Sequence, residues 1–129
     1  MRILAALLLA GCAALPSPAL VAETNSFVNA KRACRVFPCH PQFPTVREMA
    51  AAQALECTGY VMAKAYLLEA KGINRDRMTT FVFNLPRGAA HAVLVVDGEY
   101  VLDNLEPVVR RVSDYARFEP HVINVPWRS

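Results

Sequence analysis

Charge is scarce in this sequence. Asp, Glu, Lys and Arg together make 19% of its 129 residues, tryptophan occurs once, glycine five times, and the formal net charge is only +3. No run of basic residues exceeds two (Lys31-Arg32, Arg110-Arg111), so the basic stripe by which nucleic-acid binders are read is missing. An uninterrupted apolar stretch of about 20 residues, the length a transmembrane helix needs, is missing as well. Internal repeats and low-complexity tracts are absent. What is present is an apolar content of 54%, too high for a disordered chain, in a length that suits one domain.

Part of that apolar content is concentrated at the start. Met1 to Ala22 carries one charge, Arg2, then the run Ile3 to Leu9 and a tail of Ala, Leu and Pro. A basic start, a short apolar stretch and a small-residue exit describe an export signal, and Pro16 and Pro18 break the segment before it could span a bilayer. Cleavage after Ala19 or Ala22 is one expectation. The other is that Leu9-Ala10-Gly11-Cys12, which resembles a bacterial lipoprotein box, makes Cys12 a lipidated first residue; any membrane contact would then run through that lipid. Either way the chain is expected to be periplasmic or otherwise exported.

Export changes how the remaining cysteines, Cys34, Cys39 and Cys57, are read. In an oxidising compartment neighbouring thiols pair, and Cys34 and Cys39 lie five apart around a proline-containing turn. A Cys34–Cys39 disulfide leaves Cys57 free, either as a nucleophile or as an inert buried thiol; a bridge from Cys57 to Cys34 or Cys39 would make it structural. Cys34, Cys39, His40 and Cys57 could supply four zinc ligands, but the Cys-x4-Cys-His spacing is loose for zinc and export favours the disulfide, so no metal is expected.

Residues 23–44 are proline-rich and aperiodic, which predicts an irregular arm; residues 45–129 form the folded domain. Thr45-Val46-Arg47-Glu48 has the pattern of a capping box at a helix start. Cys57 to Lys71 places Val61, Ala65 and Leu68 on one stripe and is stopped by Gly72, which predicts an amphipathic helix. Thr79–Asn84, Ala90–Val96, Glu99–Leu105 and His121–Val125 read as strands, the middle two joined at Asp97-Gly98 as a hairpin; Val108–Arg117 is ambiguous and Trp127 is expected to pack on the sheet. Helices followed by antiparallel strands make an α+β domain.

Thiol chemistry needs a nucleophile, a base and a group to orient the base. Cys57 opens a helix, where the positive end of the dipole favours a thiolate. His91 begins one strand of the hairpin and Asp103 lies in its partner. In a two-residue loop, His91 and Asp103 would point to opposite faces. A three-residue loop, Val96-Asp97-Gly98, with Gly98 left-handed, places them directly opposite, with Cβ atoms about 4.5–5.5 Å apart; that register is the expected one. A strand-start His and an Asp-Asn turn also have ordinary structural uses. His40 and His121 are weaker candidates.

Cys57 at a helix start, Lys64 and Gly72 after it, His91-Ala92-Val93-Leu94-Val95-Val96 and Val101-Leu102-Asp103-Asn104-Leu105 resemble the bacterial transglutaminase-like cysteine peptidase family over about residues 45–127, and Tyr115 and Trp127 suit its C-terminal part. The resemblance implies a papain/transglutaminase-like core, a periplasmic location and a triad of Cys57, His91 and Asp103; characterised proteases of the family clip bacterial surface adhesins and bind calcium. This sequence departs from the family's Gly-x-Gly-Asp-Cys-Glu-Asp-Tyr: it reads Gln53-Ala54-Leu55-Glu56-Cys57-Thr58-Gly59-Tyr60. With Thr58 and Gly59 in place of two acids, calcium is not carried over, since that ion takes six to eight oxygens. The expectation is a thiol peptidase acting on a peptide or protein, with Gln53 as a speculative oxyanion donor. The alternatives are a degenerate member that binds a peptide or protein partner without turnover, or transglutaminase-type acyl transfer.

Overall fold

Val, Ile, Thr and aromatic residues concentrate in the second half of the chain, and there they build a sheet. The structure, a computed structural model, describes residues 18–128. The sequence-based reading of Cys12 and of most of the export signal therefore lies outside the described residues. Three helices come first: α1 (Pro18–Asn29), α2 (Val46–Ala51) and α3 (Cys57–Ala70). Five strands follow, β1 (Met78–Asn84), β2 (Ala90–Val96), β3 (Tyr100–Leu102), β4 (Arg110–Arg111) and β5 (His121–Asn124), in the antiparallel order β4-β3-β2-β1-β5. A 3₁₀ turn at Val112–Phe118 occupies the ambiguous region. None of the described helices is long and apolar enough to cross a membrane.

Strand β2 is central and covered on both faces, so all of it except Ala90 is buried. Its alternation divides two cores. Ala92, Leu94 and Val96 face α3 with Val61, Met62, Ala65 and Leu68; Val93 and Val95 face the 3₁₀ turn with Phe81, Phe83 and Tyr115. Helix α3 begins at Cys57, as its pattern predicts, and its C-terminal turn is closed by Gly72 at φ 100°. The Thr45–Glu48 capping box is formed, the Thr45 hydroxyl accepting from Glu48 N at 3.1 Å and the Glu48 carboxylate from Thr45 N at 2.9 Å. Trp127 packs edge-on to Tyr66 of α3, centroids 5.3 Å apart.

Three expectations need correction. The arm is irregular only after residue 29, because Glu23–Asn29 continues α1. The buried stripe of α1 is Val21, Thr24, Asn25 and Val28; its spacing is helical, but two of its four members are polar and it crosses the boundary drawn at Ala22, so hydropathy conceals it. The hairpin register is also different. Val96 pairs with Tyr100 and Leu94 with Leu102, around a loop of Asp97-Gly98-Glu99. Asp97 (φ 57°) and Gly98 (φ 61°) are both left-handed, as a type I′ turn requires, and Glu99 is the extra residue. Finally, β3 stops at Leu102, so Asp103 stands at the head of a turn and not inside a strand.

Val21 is fully buried against the helix–sheet core, and Leu20 packs on the same cluster. A chain beginning at Glu23 is therefore expected to be less stable than one beginning at Pro18 by about 1.5–3 kcal/mol, the value of one buried aliphatic side chain. Urea denaturation of the two chains measures the difference.

Candidate active site

The N-terminus of α3 lies against the start of β2. Cys57 is half-buried there and is the free thiol among the described residues, because Cys34 and Cys39 are joined in a disulfide with their Cα atoms 6.1 Å apart. That disulfide takes two of the sulfurs the zinc arrangement would need. The backbone N–H groups of Ala92 and Thr58 and the ring of His91 stabilise the charged form of the Cys57 sulfur.

His91 and Asp103 do meet, though not directly opposite each other. In the observed register the position facing His91 would be 105, and Asp103 falls two residues short of it. The register sum stays even, so both side chains lie on the same face and the contact is diagonal, within reach of a long side chain. His91 Nε2 is 2.8 Å from Asp103 Oδ1, which leaves Nδ1 for the sulfur. Both residues are buried at about 5% exposure. Leu105 N donates to Asp103 Oδ1 at 2.9 Å and Tyr115 Oη donates to Oδ2 at 2.7 Å. Phe83 sits edge-on to the imidazole, centroids 5.6 Å apart, and stacks on Phe118. An aromatic wall therefore keeps water from the far side of the histidine.

These contacts set the charges. Burial alone would pull His91 down, but its bonds to Asp103 and Cys57 outweigh that and raise it to about 9. Burial alone would raise Cys57; the His91 bond and the Ala92 and Thr58 N–H groups reverse this and hold it below the ordinary thiol value. Asp103 is likewise kept low against burial by His91, Leu105 N and Tyr115. Tyr115 is pushed up by burial and by Asp103, so its hydroxyl remains a donor. These shifts all favour the charge-separated pair, a thiolate beside an imidazolium, oriented by a carboxylate.

The segment before Cys57 is held by an interlocked pair. His40 Nε2 accepts from Glu56 N at 2.9 Å, while the Glu56 carboxylate accepts from Cys39 N at 2.8 Å. His40 Nδ1 binds Pro41 O at 2.8 Å, which fixes Nδ1 as the protonated nitrogen. His40, buried, is thus a structural clamp on the nucleophile's helix, and His121, exposed on β5, is far from this role. Gln53 lines the groove just upstream of the cysteine together with Ala52 and Ala54. Both grooves that Gln53 lines, one an apolar groove of about 540 Å³ between the three helices with Phe27, Met49 and Leu67 in its wall, contain none of Cys57, His91 and Asp103.

The same clamp bears on calcium. A Cβ at Gly59 would overlap His40 Nε2 and crowd Leu55, so no carboxylate-bearing side chain fits at 59 while His40 holds its place. Glu56 is committed to backbone donors, and the described residues contain no group of three His, Cys, Asp or Glu able to hold a metal ion. The residues present do not fit the ion. Tyr115 and His40 are the contributors that pattern reading undervalued. Tyr115 lies in a segment without clear period, and the structural use of His40 depends on a glycine nineteen residues away.

A family model described as bacterial transglutaminase-like cysteine proteinase matches residues 21–118. No curated protein matches the chain. Among solved structures, calcium-bound Legionella pneumophila LapG aligns with TM-score 0.65 and 19% identity over 84% of this chain and 69% of that one. The EGTA-treated form aligns at 0.67 and 20% over 82% and 66%. A further LapG structure aligns at 0.67 and 22% over 78% and 59%. These likenesses carry the fold, a papain/transglutaminase-like arrangement of helices on an antiparallel sheet.

Two outcomes follow from the charge pattern. His91 titrates higher folded (about 9) than unfolded (6.5), so its contribution to stability is complete below about pH 6.5 and is lost as pH rises through about 9. Chemical denaturation across pH 6–10 should show that decline, and His91→Ala should flatten it. Gly59→Ala should destabilise the chain by about 1–3 kcal/mol through overpacking against His40, and Gly59→Ala in a His40→Ala background should recover most of the loss.

Proposed function

The chain belongs to the bacterial transglutaminase-like cysteine proteinase family, and from that premise we propose that it is an exported thiol peptidase using Cys57, His91 and Asp103. The observation that carries this reading is the buried 2.8 Å His91–Asp103 hydrogen bond, with the half-buried Cys57 thiol held below its ordinary range by the same histidine. In the proposed cycle the Cys57 thiolate attacks the scissile carbonyl carbon and a C–S bond forms. The Cys57 backbone N–H and the Gln53 amide stabilise the oxyanion. The His91 imidazolium gives its proton to the departing amine as the C–N bond breaks, leaving a thioester. Water then attacks the thioester carbonyl with His91 accepting its proton, and the C–S bond breaks, releasing the carboxylic acid product and returning Cys57 to the thiolate. Asp103, held by Tyr115 and Leu105 N, fixes the ring's orientation throughout.

Export is part of the proposal. It rests on the Met1–Ala22 pattern, with Cys12 as the lipidation site if the box at Leu9–Cys12 is used. The Cys34–Cys39 disulfide suits an oxidising compartment. No cofactor is invoked. The substrate is a peptide or protein; nucleic acid is not a partner on this charge distribution.

A second reading has its own support: Thr58 and Gly59 replace two family acids, and the chain covers only 59 to 69% of the LapG structures. On that reading the cleft binds a peptide without turnover. Peptide hydrolysis by the full chain should disappear in Cys57→Ala and fall by about 10⁴-fold in Asp103→Asn. An amine-acceptor assay separates hydrolysis from cross-linking. Peptide binding without Cys57-dependent turnover in the parent chain would favour the second reading.

A further inference from the structure

Lys64 is fully buried in the middle of α3, and its Nζ has no hydrogen-bond partner among the described residues. Lysine is almost never buried so completely without a partner, and an isolated ammonium in such a place is costly. The side chain leans back toward the helix N-terminus, as helical side chains do, and Nζ lies 5.8 Å from the Tyr60 ring centroid. Burial lowers Lys64 to about 7, and the charge that opposes this is Asp103.

Six buried side-chain oxygens are likewise without a hydrogen-bond partner among the described residues: Thr24 Oγ1, Asn25 Oδ1, Asn29 Oδ1, Thr58 Oγ1, Thr80 Oγ1 and Asn104 Oδ1. The first three belong to α1. Helices α1 and α3 run antiparallel, since Val28 clusters with Tyr60 while Val21 clusters with Ala65 and Leu68. Thr24 and Asn25 therefore lie level with Lys64. An ammonium offers three donors and no acceptor, and one buried water can join such groups. The amide nitrogens of the same asparagines are already in use. Asn29 Nδ2 donates to the carbonyls of Asp103 at 3.0 Å and Glu106 at 3.2 Å, and Asn25 Nδ2 donates to Glu106 O at 3.4 Å. Those two carbonyls bracket the Asp103–Glu106 turn, which Glu106 N closes on Asp103 O at 3.2 Å.

We propose that Lys64 is a positioning residue: through Asn25 and Asn29 of α1 it fixes the Asp103–Glu106 turn, and thereby the angle at which Asp103 holds His91. This rests on the triad assignment above. The charge that acts on it is Asp103 from the turn, and the Tyr60 ring of its own helix lies beside it; the buried polar residues of α1 are the neutral Thr24 and Asn25. The helix that hydropathy assigns to a leader and an arm thereby becomes part of the catalytic support.

The test uses the full chain and iodoacetamide. Cys57 alkylation is followed from pH 4 to 10 in the parent, Lys64→Met, Asn29→Ala and the double variant, with near-UV circular dichroism and thermal melts to establish folding. In Lys64→Met the alkylation rate at pH 6 should fall tenfold or more and its pH midpoint should move up toward that of an ordinary thiol. Its Tm should stay within a few degrees of the parent's, since an apolar side chain of similar length offsets the loss of the amine's bonds toward α1. Asn29→Ala should shift the midpoint in the same direction, and the double variant should be no worse than the worse single one. Where hydrolysis is measurable, kcat should drop tenfold with KM within twofold. A folded Lys64→Met whose profile superimposes on the parent's, or whose rate falls at every pH with the midpoint unchanged, overturns the proposal. If Lys64→Met does not fold, an unshifted Asn29→Ala profile overturns it alone. Absence of peptidase activity in the parent counts against the proposed function and leaves the alkylation profile readable.

Discussion

A buried carboxylate must be surrounded by donors or give up its charge, and the Asp103 carboxylate organises the site on that condition. Its two oxygens take three donors, each from a different place: His91 from β2, Leu105 N from the following turn, and Tyr115 from the 3₁₀ turn on the far face of the sheet. The backbone carbonyl of the same residue takes a fourth from α1. Remove this anchor and the imidazole loses its orientation, the 3₁₀ turn loses its polar attachment, and α1 loses one of its connections to the sheet. Satisfied networks of this kind rigidify a core, whereas half-satisfied ones are costly.

The nucleophile is held by a different device. Family members with glycines before the cysteine can make a sharp loop; this chain has Gln53-Ala54-Leu55-Glu56 instead. The segment is tied down through reciprocal bonds between Glu56 and residues 39–40, next to the Cys34–Cys39 disulfide. Leu55 is also paired with the arm through Arg32 O and Cys34 N. Gly59 then makes a different use of glycine: it leaves space for the His40 ring. His40 fills the space that a side chain at 59 would need, so the turns on either side of Cys57 pack through His40, Leu55 and Glu56.

Local signals reported the elements well wherever period and chemistry agreed. The capping box at Thr45, the start of α3 at Cys57, the whole of β2 and the Cys34–Cys39 pairing are all short-range features, decided within a few residues. The hairpin shows the limit. The Asp97-Gly98 pair announces a turn, but two left-handed residues in succession make the type I′ geometry and displace the bulge to Glu99. The expected facing pair became a diagonal one, and only the parity of the register kept His91 and Asp103 on a common face.

By itself, then, the sequence determined the residue types of the proposed triad and their order along the chain, the family and the α+β class, because each depends on spacing along the chain. Tertiary structure decided what those residues can do. It placed Tyr115 under Asp103 from a segment with no readable period, put His40 against Gly59 from nineteen residues away, and made α1 a support for the Asp103 turn. Buried polar residues such as Thr24, Asn25 and Lys64 leave no mark in a hydropathy pattern. Their burial is worth its desolvation only through partners brought together by the fold, and those partners lie on other elements of the chain.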